Sequence, residues 1–260
     1  MMLEDLAVKK YERKVTGAEG FYSHSPFSIV TMVARIKGNV TEEMLKNAVV
    51  KTQQRHALLR VRIKEDHEHA LWFTSEGVQE IPIEIVPRKS ENDWIKIHAE
   101  ASKIPYEFET HPAIRFILVQ SPDVSELIIL CHHMICDGMS LAYLARDLMV
   151  HLGDPAREVK VLPAPEPITL DNLPSDVSLS GLVKFFINRI KQKWAEEIVF
   201  FDQEDYEALT KTYWDNYHHK VFTIELSEAE TADLVARCRK ENVTVNSALT
   251  AAFSGAQSFV

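Results

Sequence analysis

Glu126-Leu-Ile-Ile-Leu-Cys131-His132-His133-Met134-Ile135-Cys136-Asp137-Gly138-Met139-Ser140-Leu141 is the stretch on which the fold turns. The apolar run before the histidines reads as a buried strand, and Asp137-Gly138 supplies turn chemistry after it. Ser140 then caps a helix whose apolar positions Leu141, Leu144, Ala145, Leu148, Met149 and Leu152 form one stripe, with Gly153 as its stop. His132 and His133 thus stand at the exit of a strand, where a rigid scaffold can hold reactive groups. An imidazole takes up a proton near neutral pH, so a histidine here suits general-base work. Asp137 can turn back to pair with a cation or orient the ring region. Gly138 permits a sharp turn or a close approach to a ligand.

Upstream, residues 113–119 and 126–131 are two apolar runs separated by Ser121-Pro122-Asp123-Val124-Ser125, the pattern of an antiparallel hairpin. Pairing Gln120 with Glu126 places Arg115 opposite Cys131. Thr41, Glu42 and Glu43 start a helix that runs with Met44, Leu45, Ala48 and Val49 to about His56. The alternation of Leu59, Val61 and Ile63 with Arg60, Arg62 and Lys64 then predicts a half-buried strand. Further strands are expected over 70–74 and 81–86, and a helix over 92–102. The class is α/β.

From Gly153 to Pro174 five prolines and scattered charges remove all periodicity, so a boundary is placed near residue 170, dividing 1–170 from 171–260. Beyond it, 180–200 reads as a basic amphipathic helix with Lys184, Arg189, Lys191 and Lys193 on its polar side, taken as a solvated surface rather than a membrane or phosphate contact. A strand over 221–226, a helix over 228–240 and a last helix from Thr244 follow. That last helix has no stop before Val260, so the expectation is the front part of something longer.

With 29 Lys and Arg against 38 Asp and Glu, the net charge of −9 disfavours a nucleic-acid partner. Cys131, Cys136 and Cys238 are too few for a disulfide framework, which fits a reducing compartment; cytoplasm is the expectation. The first ten residues carry acids before any apolar run and predict no signal peptide. Asn242 to Val260 is the longest uncharged stretch, but only ten of its nineteen residues are apolar, and Asn246, Gln257 and several hydroxyl residues interrupt it, so no transmembrane segment is expected.

His132-His133-x-x-x-Asp137-Gly138 resembles the HHxxxDG signature of the condensation-domain superfamily, which takes in nonribosomal peptide synthetase condensation domains, polyketide-associated acyltransferases and alcohol acyltransferases. Arg55-His56-Ala57-Leu58-Leu59-Arg60 is similar to the family's RHxxLR, Pro112-Ala113-Ile114-Arg115 to its P-L-x-R element, and Val243 to Leu249 to the opening of the second subdomain's first long helix. The resemblance implies a chloramphenicol-acetyltransferase-like fold of two subdomains, the first complete here and the second truncated, since no DFGWG-type signature occurs in the sequence. It implies acyl transfer from a thioester, carried by coenzyme A or by a phosphopantetheinyl carrier protein, to a hydroxyl or amine. No cofactor would be bound permanently. His133 would be the general base, His132 structural, and Asp137 the partner of an arginine, either Arg60 or Arg115. A Met start with a short leader leads to the expectation of a stand-alone enzyme, completed by a second polypeptide or a C-terminal half.

Two rival readings stand beside this one. A non-catalytic condensation-like domain would keep the fold and bind a carrier protein or partner polypeptide. A zinc site of Cys131, His132, His133 and Cys136 is disfavoured, because adjacent strand residues point to opposite faces and no CxxC or HxxxH pair exists; no metal is expected. His24, His67, His69, His98, His111, His218 and His219 are read as surface or satisfied core residues.

Overall fold

The computed structural model describes residues 10–167, 189, 201–221 and 223–257. The basic helix expected over 180–200 lies outside these apart from Arg189. Two compact units divide the chain, Met1–His219 and Lys220–Val260.

The first unit contains two sheets. β1 (Glu12–Lys14), β3 (Arg62–Glu65) and β4 (Leu71–Thr74) form a small antiparallel sheet in the order β1-β4-β3. β2 (Ile29–Lys37), β5 (Ile83–Pro87), β6 (Ile114–Gln120) and β7 (Val124–His132) form the larger one in the order β2-β7-β6-β5. Among the described residues only the β5–β6 pair is parallel.

Central β7 is buried on both faces, which is why its sequence is a continuous apolar run instead of an alternation. Leu127, Ile129 and Cys131 face one cluster together with Ile114, Phe116 and Leu118. Helices α2 (Glu42–Arg55) and α4 (Gly138–Gly153) cover that side with Leu45, Ala48, Val49, Leu141, Leu144 and Leu148. Ile128 and Leu130 join Ile117 and Val119 on the other face, against Trp94 and Ile97 of α3 (Asp93–Ala101). A one-turn helix, α1 (Gly17–Gly20), precedes β2. The Thr41 hydroxyl caps α2 by accepting from the Met44 amide at 3.2 Å, as its sequence predicts.

Several expectations shift. The hairpin register pairs Val119 with Glu126, Arg115 with Leu130 and Ile114 with Cys131, one residue from the expected pairing. Both faces of this hairpin are apolar, so a one-residue slip exchanges one hydrophobic face for another and the pattern cannot choose. Gln120 leaves the hairpin altogether, donating from Nε2 to the Val40 carbonyl at 2.6 Å while its own carbonyl accepts from Arg88. The strand expected from Leu59 begins instead as a 3-10 helix, Ala57–Arg60, ahead of β3. Leu59 belongs to the α2–α4 cluster, whereas Val61 and Ile63 pack with Phe73 and Phe108, so the chain turns between them.

The unit also runs later than the boundary near residue 170. Helix α5 (Gln203–Asn216), which sequence reasoning did not foresee, buries Tyr206 among Phe73, Phe108 and Met134 and donates from Gln203 Nε2 to the Tyr106 carbonyl at 2.8 Å.

In the second unit, α6 (Glu228–Lys240) opens on a capping box of Ser227 with Glu230, and α7 (Val245–Gln257) follows Thr244, whose hydroxyl accepts from the Ser247 amide. Asn242 takes the left-handed conformation, φ 55°, between them. The strand expected over 221–226 is absent among the described residues, where no partner ladder reaches it. No helix among the described residues is long and apolar enough to cross a membrane.

Candidate active site

β7 ends on His132 and His133 opens the turn that follows it, and the neighbouring segments pin both. The His132 amide donates to the Ala113 carbonyl on one side, and the His133 amide to the Ser28 carbonyl on the other, each at 2.8 Å. The loop closes as the Ile135 amide returns to the His132 carbonyl at 3.1 Å. α4 then begins, positioned by its apolar stripe on the sheet.

The His132 ring is fully buried. Tyr106, Phe108 and Tyr206 surround it edge to face, with centroids 5.6, 4.9 and 6.5 Å away. The Met134 amide donates to its Nδ1 at a long 3.4 Å, which leaves the proton of a neutral ring on Nε2. Nε2 is buried with no hydrogen bond of good geometry; the nearby Ser25 backbone is the group that favours its charge. Burial outweighs that help and pushes the imidazole down to about 3, so His132 stays neutral across the physiological range.

His133 is different. Its ring is half-buried and lies flat on Tyr22, with centroids 4.2 Å apart and planes 6° from parallel. Among the described residues no group hydrogen-bonds to its ring nitrogens. A ring whose plane is held by stacking and whose nitrogens are not engaged by protein groups is free to exchange a proton with another molecule. Exposed apolar groups flank the loop, among them Phe21 beside Tyr22 and Met139 in the first turn of α4.

Asp137 caps α4. Its carboxylate accepts from the Ser140 amide at 2.7 Å, so the cap expected at Ser140 belongs to Asp137 instead. That hydrogen bond, first among its causes, holds the carboxyl below its ordinary value. Gly138 is the first helical residue, and an added Cβ there meets no protein atom within 4 Å, so no protein backbone requires glycine.

The arginine expected to pair with Asp137 is elsewhere engaged. Arg60 donates to the Gln54 carbonyl at 2.7 Å. Arg115 donates to the carbonyls of Ile104 and Pro105 at 2.9 and 3.0 Å, and its guanidinium lies 4.2 Å from the Tyr106 ring centroid. Arg115 therefore reaches the motif through Tyr106, which in turn packs on His132, rather than through Asp137. Cys131 and Cys136 both direct Sγ to the His132 carbonyl at 3.9 Å, and among the described residues no three His, Cys, Asp or Glu side chains gather as a metal set.

Sequence reasoning did not single out Tyr22, Tyr106, Phe108 or Tyr206, because stacking partners drawn from distant segments leave no local spacing signal. It also missed Asp147. This nearly buried carboxylate on α4 accepts from Arg55 Nε at 2.6 Å, His56 Nε2 at 3.0 Å and Arg146 Nη2 at 2.9 Å. The Arg-His pair of the RHxxLR-like segment thereby ties α2 to α4 behind the motif loop.

The profile of the Condensation domain family matches residues 14–155, more than half of the chain, and the chain belongs to that family. The dimodular nonribosomal peptide synthase of Bacillus subtilis is 30% identical over 129 residues, which are 48% of this chain and 5% of the synthase. The hybrid PKS-NRPS synthetase LUC5 of a Fusarium species is 32% identical over 123 residues, 46% of this chain and 3% of the synthetase. The chain thus spans only a small part of the curated relatives it matches. Among solved structures, the fold is similar to the epimerization domain from the third module of tyrocidine synthetase B, with a TM-score of 0.51 at 16% identity, covering 61% of this chain and 38% of that one. It is also similar to the SgcC5 protein from Streptomyces globisporus, with a TM-score of 0.50 at 16% identity over 71% of this chain and 42% of that one. These likenesses concern the fold, which is shared with those two solved structures.

Proposed function

We propose that this chain supplies the general base of an acyl-transfer site in a reducing, cytoplasmic setting, with His133 as that base. The observation that carries the reading is the contrast between two adjacent rings. His132 is sealed in an aromatic cage and held neutral, while His133 keeps its nitrogens unengaged on a stacked, half-buried ring. In the proposed reaction a hydroxyl or amine approaches a ring nitrogen of His133 and gives up its proton as it attacks a thioester carbonyl. The tetrahedral oxyanion collapses, the carbon–sulfur bond breaks, and the proton passes to the departing thiolate. The thioester would be an acyl-CoA or an acyl-phosphopantetheinyl carrier protein, and no permanently bound cofactor takes part.

His132 and Gly138 would shape the loop, and Asp137 would fix the start of α4. Arg115 would brace the aromatic cage, and Arg60 would hold the end of α2. A second lobe, from a C-terminal continuation or a second polypeptide, would complete the channel.

Acyl transfer from a panel of acyl-CoA and acyl-loaded carrier proteins tests this reading, with the chain alone and with a second lobe supplied in trans. His133→Ala is expected to lower kcat by about 10²–10⁴-fold with the fold intact. A wild-type chain that binds carrier protein yet transfers nothing under either condition would instead identify a non-catalytic binding module.

A further inference from the structure

The C-terminal half of α4, the end of α2 and residues 157–160 enclose a cleft of about 440 Å³, a size typical of small-ligand sites. Its walls carry Arg55, Arg146, Arg157 and Lys160 against only Asp147 and Glu158. Asp147 is already engaged by Arg55 and Arg146. The Arg157 guanidinium and the Lys160 ammonium have no ion-pair partner among the described residues, and both are exposed. The surplus is cationic in a chain of net charge −9, so it is not a sample of the general surface.

A second observation is independent of the charges. His151 stands in the wall of the same cleft, 5% exposed, and its Nδ1 is buried without a hydrogen-bond partner. A polar atom withdrawn from water in this way is satisfied when a ligand atom meets it. Burial, then the charges of Lys51, Arg157 and Arg55, keep this imidazole below its usual value against the opposing pull of Asp147, so the ring is neutral in a positive field. With its proton on Nδ1 it donates to an anionic oxygen.

We propose that this cleft binds a small phosphorylated ligand, its phosphate held by Arg157, Lys160 and Arg146 with an oxygen accepting from His151. Guanidinium forks and a lysine point charge are phosphate donors, and here four cations face two carboxylates, Asp147 and Glu158. The volume exceeds that of a lone anion and takes a body of mononucleotide size. A concave site with a buried ring in its wall fits a small molecule better than the flat face of an acidic protein. The proposal does not depend on the role of His133, since none of the cleft residues belongs to the histidine loop.

The test titrates the full chain with inorganic pyrophosphate and with ADP by calorimetry at low ionic strength, with adenosine as the uncharged control. The His151 ring is followed by ¹⁵N NMR. The expected result is saturable one-site binding of both phosphates, none of adenosine, and a shift of the His151 resonances. R157Q/K160Q should weaken binding at least about tenfold without lowering the thermal midpoint, and H133A should leave binding unchanged. Pyrophosphate binding as tightly as ADP identifies the phosphate as the recognised group, and tighter ADP binding adds the nucleoside body. Unchanged affinity in R157Q/K160Q, or no saturation up to about 10 mM of either phosphate, overturns the proposal.

Discussion

The imidazole of His133 lies on the phenol ring of Tyr22, with centroids 4.2 Å apart and planes 6° from parallel. The contact joins the turn after β7 to the segment that follows α1, far apart in sequence, and it orients a ring that no hydrogen bond holds among the described residues. Tyr22 is therefore a positioning residue for the proposed base.

Replacing Tyr22 separates stacking from hydroxyl chemistry. Aromatic pairs contribute about 0.5–1.5 kcal/mol beyond burial, so Tyr22→Ala should lower kcat by up to about tenfold with little change in KM. Tyr22→Phe should restore the rate. NMR of the His133 ring should show altered resonances in the alanine variant alone; equal spectra in both would remove the positioning role.

Asp137 acts as a helix cap, which makes a specific stability pattern. Asp137→Ala should cost about 1 kcal/mol in urea denaturation, and Asp137→Asn much less, because asparagine caps nearly as well. Double-mutant cycles of Asp137→Asn with Arg60→Met and with Arg115→Met should be additive. A coupling above about 0.5 kcal/mol would restore an ion-pair role that the geometry does not provide.

His132 makes folding depend on pH. Its folded value is depressed to about 3 by burial, whereas an unfolded histidine titrates near its ordinary value of 6.5. Between these limits the unfolded chain binds the additional proton, so this contribution to stability is complete above 6.5 and declines as the pH falls towards 3. His132→Phe should keep the ring packing in the cage, lose some stability at pH 7.5 and flatten the slope between about pH 6.5 and 4. Chemical denaturation across that range measures it, and an unchanged slope would assign the acid sensitivity to other groups.

Asp147 gives the same sign in a lower window. Burial alone would raise its carboxyl, but hydrogen bonds from Arg55, Arg146 and His56 outweigh it and hold the group below its ordinary value of 3.8. The stabilisation is present above that value and is lost as the pH falls through the depressed folded one. Asp147→Ala should cost about 3 kcal/mol at neutral pH, since it strands Arg55 beside His56 at the α2–α4 contact. Thermal unfolding should show the loss, and the variant should lose the corresponding acid limb.

Much of the molecule was legible because its signals are local. The stripe from Leu141 to Leu152 and the Thr41 cap needed only helical spacing, and both elements form where that spacing puts them. The hairpin was legible as a hairpin but not in register, because Ile117 and Phe116 are equally apolar on opposite faces. The alternation from Leu59 to Ile63 misled for a related reason: periodicity does not reveal that Leu59 and Val61 enter different clusters. α5 escaped notice because only Tyr206 and Thr210 of its residues are buried, too few for a stripe.

By itself the sequence determined the strand, loop and helix around His132 and His133 and the membership of a family, since apolar spacing and a contiguous motif are properties of neighbouring residues. Only the tertiary structure decided that His132 is caged and neutral, that His133 rests on Tyr22, that Asp137 caps a helix instead of meeting an arginine, and that Arg55 closes on Asp147 across 92 residues. Those outcomes depend on which distant groups packing brings within a few ångströms. Burial and hydrogen bonding act over that range, and spacing along the chain carries no record of it.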